Sequence, residues 1–341
     1  MKLLILCQSY NKNHTNLGFF VEWVNLFAEN FEKVIVLSRD TTPSSNIKTI
    51  QLDKRGRVLG FRFVFSLWKN LIKERRNYDA VFIHMIPEYA VLAYLPAFLL
   101  RKKLFLWYTH GSVSLPLRIS RFLVSKIFTA SIESCRLKSK KILSVGHGIE
   151  VPFGEMARNL ISKDEIKMVT VGRITKSKSI ETIIRAVLDL KEEGKNISLE
   201  IIGSPLSSED IIYKNNLEES ISSLGLRERI RFIGGMDHKD VVLKLRQYDV
   251  FASASKTGSL DKAVLESLGL GIPAVSTNEA FKYILLPFRL FVDKEDSFSE
   301  AIKRAVAISE MDRLELSKNI EKNHSLDRLI KLISKEIKGV F

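Results

Sequence analysis

Arg173 and Lys178 flank a turn in "TVGRITKSKSIETIIRAV", where an apolar run over 168–171 stops at Gly172 and a helix is predicted from near Ser179. Two cations beside a helix N-terminus suit a diphosphate, because the helix dipole and its free N–H groups add to the point charges. Arginine brings a planar bidentate fork and lysine a mobile charge. Basic residues before helices also occur on plain surfaces, so this spacing alone leaves both readings open. The stretch "SASKTGSLDKAVLESLGLGIPAVST", residues 253–277, repeats the arrangement. Thr257, Gly258 and Ser259 are small, so backbone N–H groups there can approach an anion closely. Glu266 follows two turns into the next predicted helix, among Val264, Leu265 and Leu268. A carboxylate there can accept two hydrogen bonds from a vicinal diol such as a ribose. An acid merely solvated on a helix face fits those apolar neighbours less well. The "GLG" after it precedes a strand instead of following one, so it is no dinucleotide fingerprint, and Gly269 or Gly271 is expected as a helix C-cap.

The histidines divide. His110 closes the strand-like "KLFLWYTH" ahead of Gly111 and Ser112, which aims it from a carboxyl strand end; a packed or capping role is the alternative. His84 and His147 hold comparable positions, His238 reads as a helix-start residue, and His14 and His324 as surface residues. No HExxH, cysteine pair, Asp-x-Asp, Gly-x-Ser-x-Gly elbow or phosphate loop of the GxxxxGK[ST] type occurs, so no metal site is expected.

The elements that must carry these residues alternate along the whole chain. Near-continuous apolar runs at "KLLILC", "KVIVLS", "DAVFIHM", "KLFLWYTH" and "KKILSVG" are separated by helical patterns at "FFVEWVNLFAENF", "FRFVFSLWKNLIKERR" and "LRISRFLVSKIF". A second series, "KMVTVG", "SLEIIG", "RIRFIG", "DVFASAS", "IPAVST" and "FRLFVD", is separated by helices starting near Ser179, Ser208, His238, Leu260 and Ser297. Such a rhythm implies parallel sheets covered on both faces, hence two doubly wound α/β domains with ligand sites at carboxyl strand ends. The divide is expected within 148–165, giving domains over 1–155 and 156–322. The tail 323–341 is read as an amphipathic helix packing back toward the first domain.

Charge is one-sided. Residues 1–160 hold 24 lysines and arginines against 11 acids, whereas 161–341 hold 29 against 28. A basic first half points to a polyanion such as a membrane surface, a phosphorylated acceptor or nucleic acid, with clustered solubility charge as the alternative. Nucleic acid is disfavoured, since the cations are spread over several elements without a recognition helix or stacking platform. The two cysteines, Cys7 and Cys135, are far apart and suggest neither a disulfide framework nor a thiolate site, so a reducing cytoplasm is expected. The opening "MKLLILCQSY" reads as a buried strand rather than a signal peptide. The longest apolar run, "YAVLAYLPAFLL", is too short to span a bilayer.

Taken together, "VGRITKSKS", "LEIIGS", "LGLRERIRFIGGMDHKDVVLKLRQYDVFASAS" and "VLESLGLGIPAVST" resemble the donor-binding half of glycosyltransferase family 4. "NLGFFVEWVNLFAENFEKVIVLS", "YTHGSVS" and "VGHGIE" are similar to that family's N-terminal loop and cleft motifs. The resemblance implies the GT-B fold, two Rossmann-like domains facing each other across a cleft, and transfer of sugar from a nucleoside diphosphate with retention of configuration. It implies that Arg173 and Lys178 hold the diphosphate, Glu266 the ribose, and the backbone near Ile233 and Gly234 the base. Gly18 would approach the phosphate and His110 face the transferred sugar. No metal or cofactor is implied beyond the nucleotide sugar itself. In two places the chain departs from the pattern. The acid usual eight positions before the ribose acid is Gly258 here, with Asp261 and Lys262 nearby to take its place, and Ser179 stands where glycine is usual.

The expected protein is a cytoplasmic, peripheral-membrane glycosyltransferase with a saccharide or polyprenyl-linked acceptor and an anionic membrane surface as partners. A UDP-sugar epimerase or hydrolase of the same fold, and a silent polyanion-binding protein, are the alternatives.

Overall fold

A computed structural model of the chain describes residues 1–14, 17–53, 60–154, 165–293 and 297–341. The chain divides into two units, Met1–Gly148 with Leu326–Phe341, and Ile149–Ser325.

In the first unit the order is β1 Lys2–Tyr10, α1 Phe20–Asn30, β2 Lys33–Thr41, β3 Lys48–Gln51, α2 Phe61–Lys73, β4 Ala80–His84, α3 Pro87–Leu99, β5 Lys103–Trp107, α4 Leu115–Leu123, β6 Lys126–Thr129 and β7 Ile142–Ser144. The strands form one seven-stranded sheet, β3-β2-β1-β4-β5-β6-β7, with every pair parallel. Leu3–Leu6, Val81–Ile83 and Leu104–Trp107 are buried, as strands covered on both faces require.

Two sequence expectations change here. The helix expected to run through Phe128 stops at Leu123, and Ser125 N–H joins the sheet by donating to the Leu104 carbonyl at 2.7 Å. "KIFT" is too short a run for its period to separate strand from helix, and the sheet edge decides it. The edge strand β3, which had no counterpart among the expected strands, is largely solvent-facing and carries little apolar signal.

The second unit contains β8 Ile166–Val171, α5 Ile180–Glu192, β9 Ile197–Ile202, α6 Ser208–Ser223, β10 Ile230–Gly234, α7 His238–Leu245, β11 Val250–Ser253, α8 Lys262–Gly269, β12 Ala274–Ser276, α9 Lys282–Leu285, α10 Phe298–Val306 and α11 Glu310–His324. Its five strands are parallel in the order β10-β9-β8-β11-β12. "FRLFVD" contributes only an isolated bridge between Ser276 and Phe291. The order reverses between β8 and β11, the point at which doubly wound sheets open a crevice for ligands.

The last helix, α12 Leu326–Lys338, belongs to the first unit and packs on α1. Leu329, Ile330, Ile333 and Ile337 are buried, and Lys338 Nζ donates to the Asn30 carbonyl at 2.6 Å. The division falls between Gly148 and Ile149, ahead of the expected 155/156 boundary, which lies outside the described residues. Ile149 goes with the second unit because its N–H donates to the His324 carbonyl at 2.8 Å and its side chain packs near Gly269. His324, expected at the surface, is buried at the end of α11. Among the described residues no helix is long and apolar enough to cross a membrane.

Candidate functional site

The two loops singled out by their cations and small residues leave β8 and β11, the neighbours at the switch point of the second sheet. A groove there is lined by Gly172, Arg173, Lys178, Ile202, Ser253 and Ala254. Arg173 is exposed, whereas Lys178 lies over Gly172, whose added Cβ would sit 3.4 Å from Lys178 Cε. The loops are stitched together twice. Lys256 N–H donates to the Ser177 carbonyl at 2.9 Å, and Lys178 Nζ pairs with Asp261 Oδ1 at 2.7 Å. Asp261 occupies the N-cap of α8 yet makes no capping bond to it, because its carboxylate is turned to Lys178.

The turn before α5 is a single 3-10 turn, Lys176–Lys178, ending at Ser179 with φ 45° and ψ 49°. That left-handed backbone explains why glycine suits this position; a serine costs on the order of 1 kcal/mol there. The N-terminus of α5 is not entirely free for an anion. Ile180 N–H already donates to the Tyr213 hydroxyl at 3.0 Å, and Tyr213 in turn hydrogen-bonds Glu181.

In the other loop, Thr257 Oγ1 meets Ser255 Oγ at 3.2 Å, and Asn278 Nδ2 donates to the Ser259 carbonyl at 2.7 Å. Gly258 has φ +68°, so it fills a left-handed position that an acidic side chain would strain. Past it, α8 buries Val264 through Gly269. Gly271, at φ +74°, closes the helix: its N–H bonds the Leu268 carbonyl at 3.0 Å and Ile272 N–H bonds Ser267 at 2.9 Å. This is a Schellman cap, so of the two glycines Gly271 is the cap. Gly269 is instead pressed beneath Val151 and Phe153, where a Cβ would lie 2.9 and 3.0 Å from their side chains.

Glu266 is 3% exposed, and its Oε1 lies 2.7 Å from Nε2 of His238, the first residue of α7. That hydrogen bond raises the His238 pKa above 6.5. The sign follows: the pair's contribution to stability is fully present below pH 6.5 and is lost as pH rises through the raised value. Lys262, half-buried one turn before Glu266, is pushed the other way by burial, down to about 8, with Glu266 and Glu150 opposing the shift. Ile233 and Gly234 end β10, and Gly234 at φ +88° has open space where a Cβ would stand.

Gly18 and His110 belong to the first unit. Gly18 is fixed by its own loop, since a Cβ would lie 2.4 Å from the Lys12 carbonyl oxygen. His110 is exposed after β5; its Nδ1 accepts from Ser112 N–H at 3.1 Å and meets Ser112 Oγ at 2.8 Å, which leaves Nε2 as the protonated nitrogen of the neutral ring. His84 is stacked on Phe20 at 4.0 Å and buried, a packing role. Sequence reasoning did not connect His238 to Glu266, nor Asp261 to Lys178, because both pairs join separate strand–helix units and leave no local pattern. Among the described residues no group of three or more His, Cys, Asp or Glu is gathered to hold a metal ion.

The model of the family described as glycosyl transferases group 1 matches residues 154–325, half of the chain and nearly the whole second unit. The chain belongs to that family. Among this family member's relatives, the alpha-monoglucosyldiacylglycerol synthase of Streptococcus pneumoniae is 23% identical over 47% of the chain and 36% of its own length. Protein CapJ of Staphylococcus aureus is 23% identical over 80% of the chain and 76% of its own. The chain spans about a third of the length of the first of these relatives. The crystal structure of Anabaena HepE in complex with UDP and glucose superposes with a TM-score of 0.72, at 14% identity, over 99% of both chains. That likeness is one of fold, and with the two parallel sheets it makes the chain a GT-B protein.

Proposed function

We propose that this chain transfers a sugar from a UDP- or GDP-linked donor to a saccharide or polyprenyl-linked acceptor, with retention and without a metal, as a hexosyl transferase of the family 4 type. The observation that carries the reading is the joining of the two switch-point loops, with Arg173 and Lys178 lining one groove and Glu266 buried in α8, the helix that follows the second loop. In this reading Arg173 and Lys178 take the diphosphate, and Glu266 the ribose diol. The backbone at Ile233 and Gly234 lines the base. Thr257, Gly258 and Ser259 offer small-residue backbone to the phosphates. Asp261 and Lys262 reach the donor sugar in place of the acid that Gly258 lacks. When the bond between the anomeric carbon and the terminal phosphate oxygen breaks, charge grows on the departing diphosphate, where fixed cations stabilise it most. The UDP and glucose held by HepE, and the lipid named in the synthase relative, support a UDP donor and a lipid-linked acceptor.

Glu266→Gln tests the assignment by calorimetry. UDP binding should weaken roughly tenfold, as expected for loss of a charged hydrogen-bond acceptor, while inorganic pyrophosphate binding stays near that of the parent chain. Equal loss for both ligands would make Glu266 a structural residue and remove the ribose reading.

The first unit is the proposed acceptor side, resting on an anionic inner membrane face. Of the aromatics in α2, Phe63 is buried against Tyr89 and Trp68 donates to the Leu92 carbonyl at 2.9 Å. Phe61 and Phe65 are 85% and 62% exposed and stacked on each other, with Arg62, Lys69 and Lys73 beside them. An exposed aromatic pair among cations suits a bilayer interface. Lys102 and Lys103 suit it less, being held by the Tyr78 and Val340 carbonyls, and Lys54, Arg55 and Arg57 lie outside the described residues. The chain should co-sediment with vesicles containing phosphatidylserine at low salt and leave them as salt rises; each cation contributes about 1 kcal/mol near such a surface. Arg62→Glu with Lys69→Glu should abolish this without changing UDP affinity. No sedimentation at low salt would turn the proposal toward a soluble anionic acceptor.

A further inference from the structure

Glu266 is the most secluded acid of the site, yet its hydrogen-bond partner His238 comes from a different strand–helix unit. His238 opens α7, is 52% exposed, and reaches back to set Nε2 2.7 Å from Oε1 of a carboxylate that is 3% exposed. The two helices pack together, so the contact belongs to the fold of the second unit and not to a loose side chain lying across its surface. Lys262 bears on the same carboxylate from one turn earlier on α8, and Glu150 acts on both His238 and Lys262.

A carboxylate that receives a vicinal diol must hold its plane and one oxygen in a fixed direction. A glutamate side chain has three rotatable bonds, and a point charge such as Lys262 does little to fix them. A directional hydrogen bond to the other oxygen does. We propose that His238 is the positioning residue for Glu266: it donates Nε2–H to Oε1 and thereby presents Oε2 to the ribose hydroxyls of the donor. This rests on the reading that Glu266 takes the ribose. His238 therefore contributes to discrimination between ribose and deoxyribose without touching the reacting atoms.

The test compares binding of UDP, 2′,3′-dideoxy-UDP and inorganic pyrophosphate by calorimetry. Glutamine reproduces the position of a donor at Nε2, asparagine is too short, and alanine removes the donor. His238→Ala and His238→Asn should reduce the preference for UDP over its dideoxy form about fivefold, the worth of one ordinary hydrogen bond, with pyrophosphate affinity unchanged. His238→Gln should restore most of that preference. Glu266→Gln supplies the reference. If it leaves the UDP preference intact, the ribose reading itself falls. If it removes the preference while His238→Ala does not, only the positioning role falls. Loss of the preference in His238→Gln as large as in His238→Ala, or a parallel loss of pyrophosphate binding, would also overturn it, because either result marks the ring as a packing element.

Discussion

Arg173→Ala and Lys178→Ala should each weaken UDP binding by about 1.5–3 kcal/mol, roughly 10- to 150-fold, with the larger loss at Lys178. The two side chains line the same groove but are not equivalent. Arg173 is exposed, and its removal deletes one cation from the phosphate path. Lys178 is bonded to Asp261 at 2.7 Å, so its removal deletes a cation and also leaves a carboxylate without its counter-charge beside the incoming phosphates. The asymmetry can be isolated by a double-mutant cycle. Asp261→Asn should recover part of the affinity lost in Lys178→Ala, and none of that lost in Arg173→Ala. Calorimetry with UDP, on variants whose far-ultraviolet dichroism matches the parent, measures this. Unchanged affinity in both single variants would remove the diphosphate clamp from the proposal.

Gly203→Ala should be among the most destabilising single changes in the second unit. Gly203 follows β9 with φ +149°, and a Cβ there would stand 1.8 Å from the carbonyl oxygen of Gly172 and 2.8 Å from its carbon. Both obstacles are backbone, so no side chain can swing aside. Relief requires parting the carboxyl ends of β8 and β9, where Gly172 N–H bonds the Ile202 carbonyl at 2.9 Å and Gly203 N–H bonds Gly234 at 2.8 Å. Overpacking together with backbone strain costs about 3 kcal/mol or more. In a unit of this size that lowers Tm by roughly 6–12 °C. Gly194→Ala is the control: it has φ +78° with nothing within 4 Å, so it carries backbone strain alone and about a third of the loss. Equal melting shifts for the two variants would show that the close approach at Gly203 is unimportant. Because Gly172 directly precedes Arg173, Gly203→Ala should also loosen the proposed diphosphate site in the fraction that remains folded.

The sheets were legible because parallel strands covered on both faces read as unbroken apolar runs, and "KLLILC", "AVFIH" and "LEIIG" have no other economical explanation. The loops of the site were legible because glycines and cations cluster where such strands end. Legibility failed where burial is partial or the partner is remote. β3 carries half-exposed residues, and β6 is four residues long. Phe61 and Phe63 are two positions apart in one aromatic-rich helix, yet one faces solvent and the other the core, a difference that depends on where the neighbouring helix lies. His238 was read only by its place at a helix start. Its bond to Glu266 spans 28 residues and two strand–helix units, and no local periodicity encodes such a meeting.

The return of the chain's last helix to the first unit sets an order on folding. The five-stranded unit is continuous over Ile149–Ser325, so all of its contacts become available before α12 is synthesised. The seven-stranded unit cannot finish until then. Gly148 leaves room, by its missing Cβ, for Leu329 and Leu326 to sit 2.5 and 3.0 Å from where that atom would be, beside Trp23. Lys338 closes on Asn30 across 308 residues. Closing so long a loop adds little to the equilibrium cost, because that cost grows only with the logarithm of length, but it is a late event in time. Phe20, Trp23 and Phe27 of α1 already pack on His84, Trp107 and Phe82 of the sheet, so on the ribosome only the strip of α1 that α12 covers waits open while the second unit is made, and it is this strip that a chaperone would meet first.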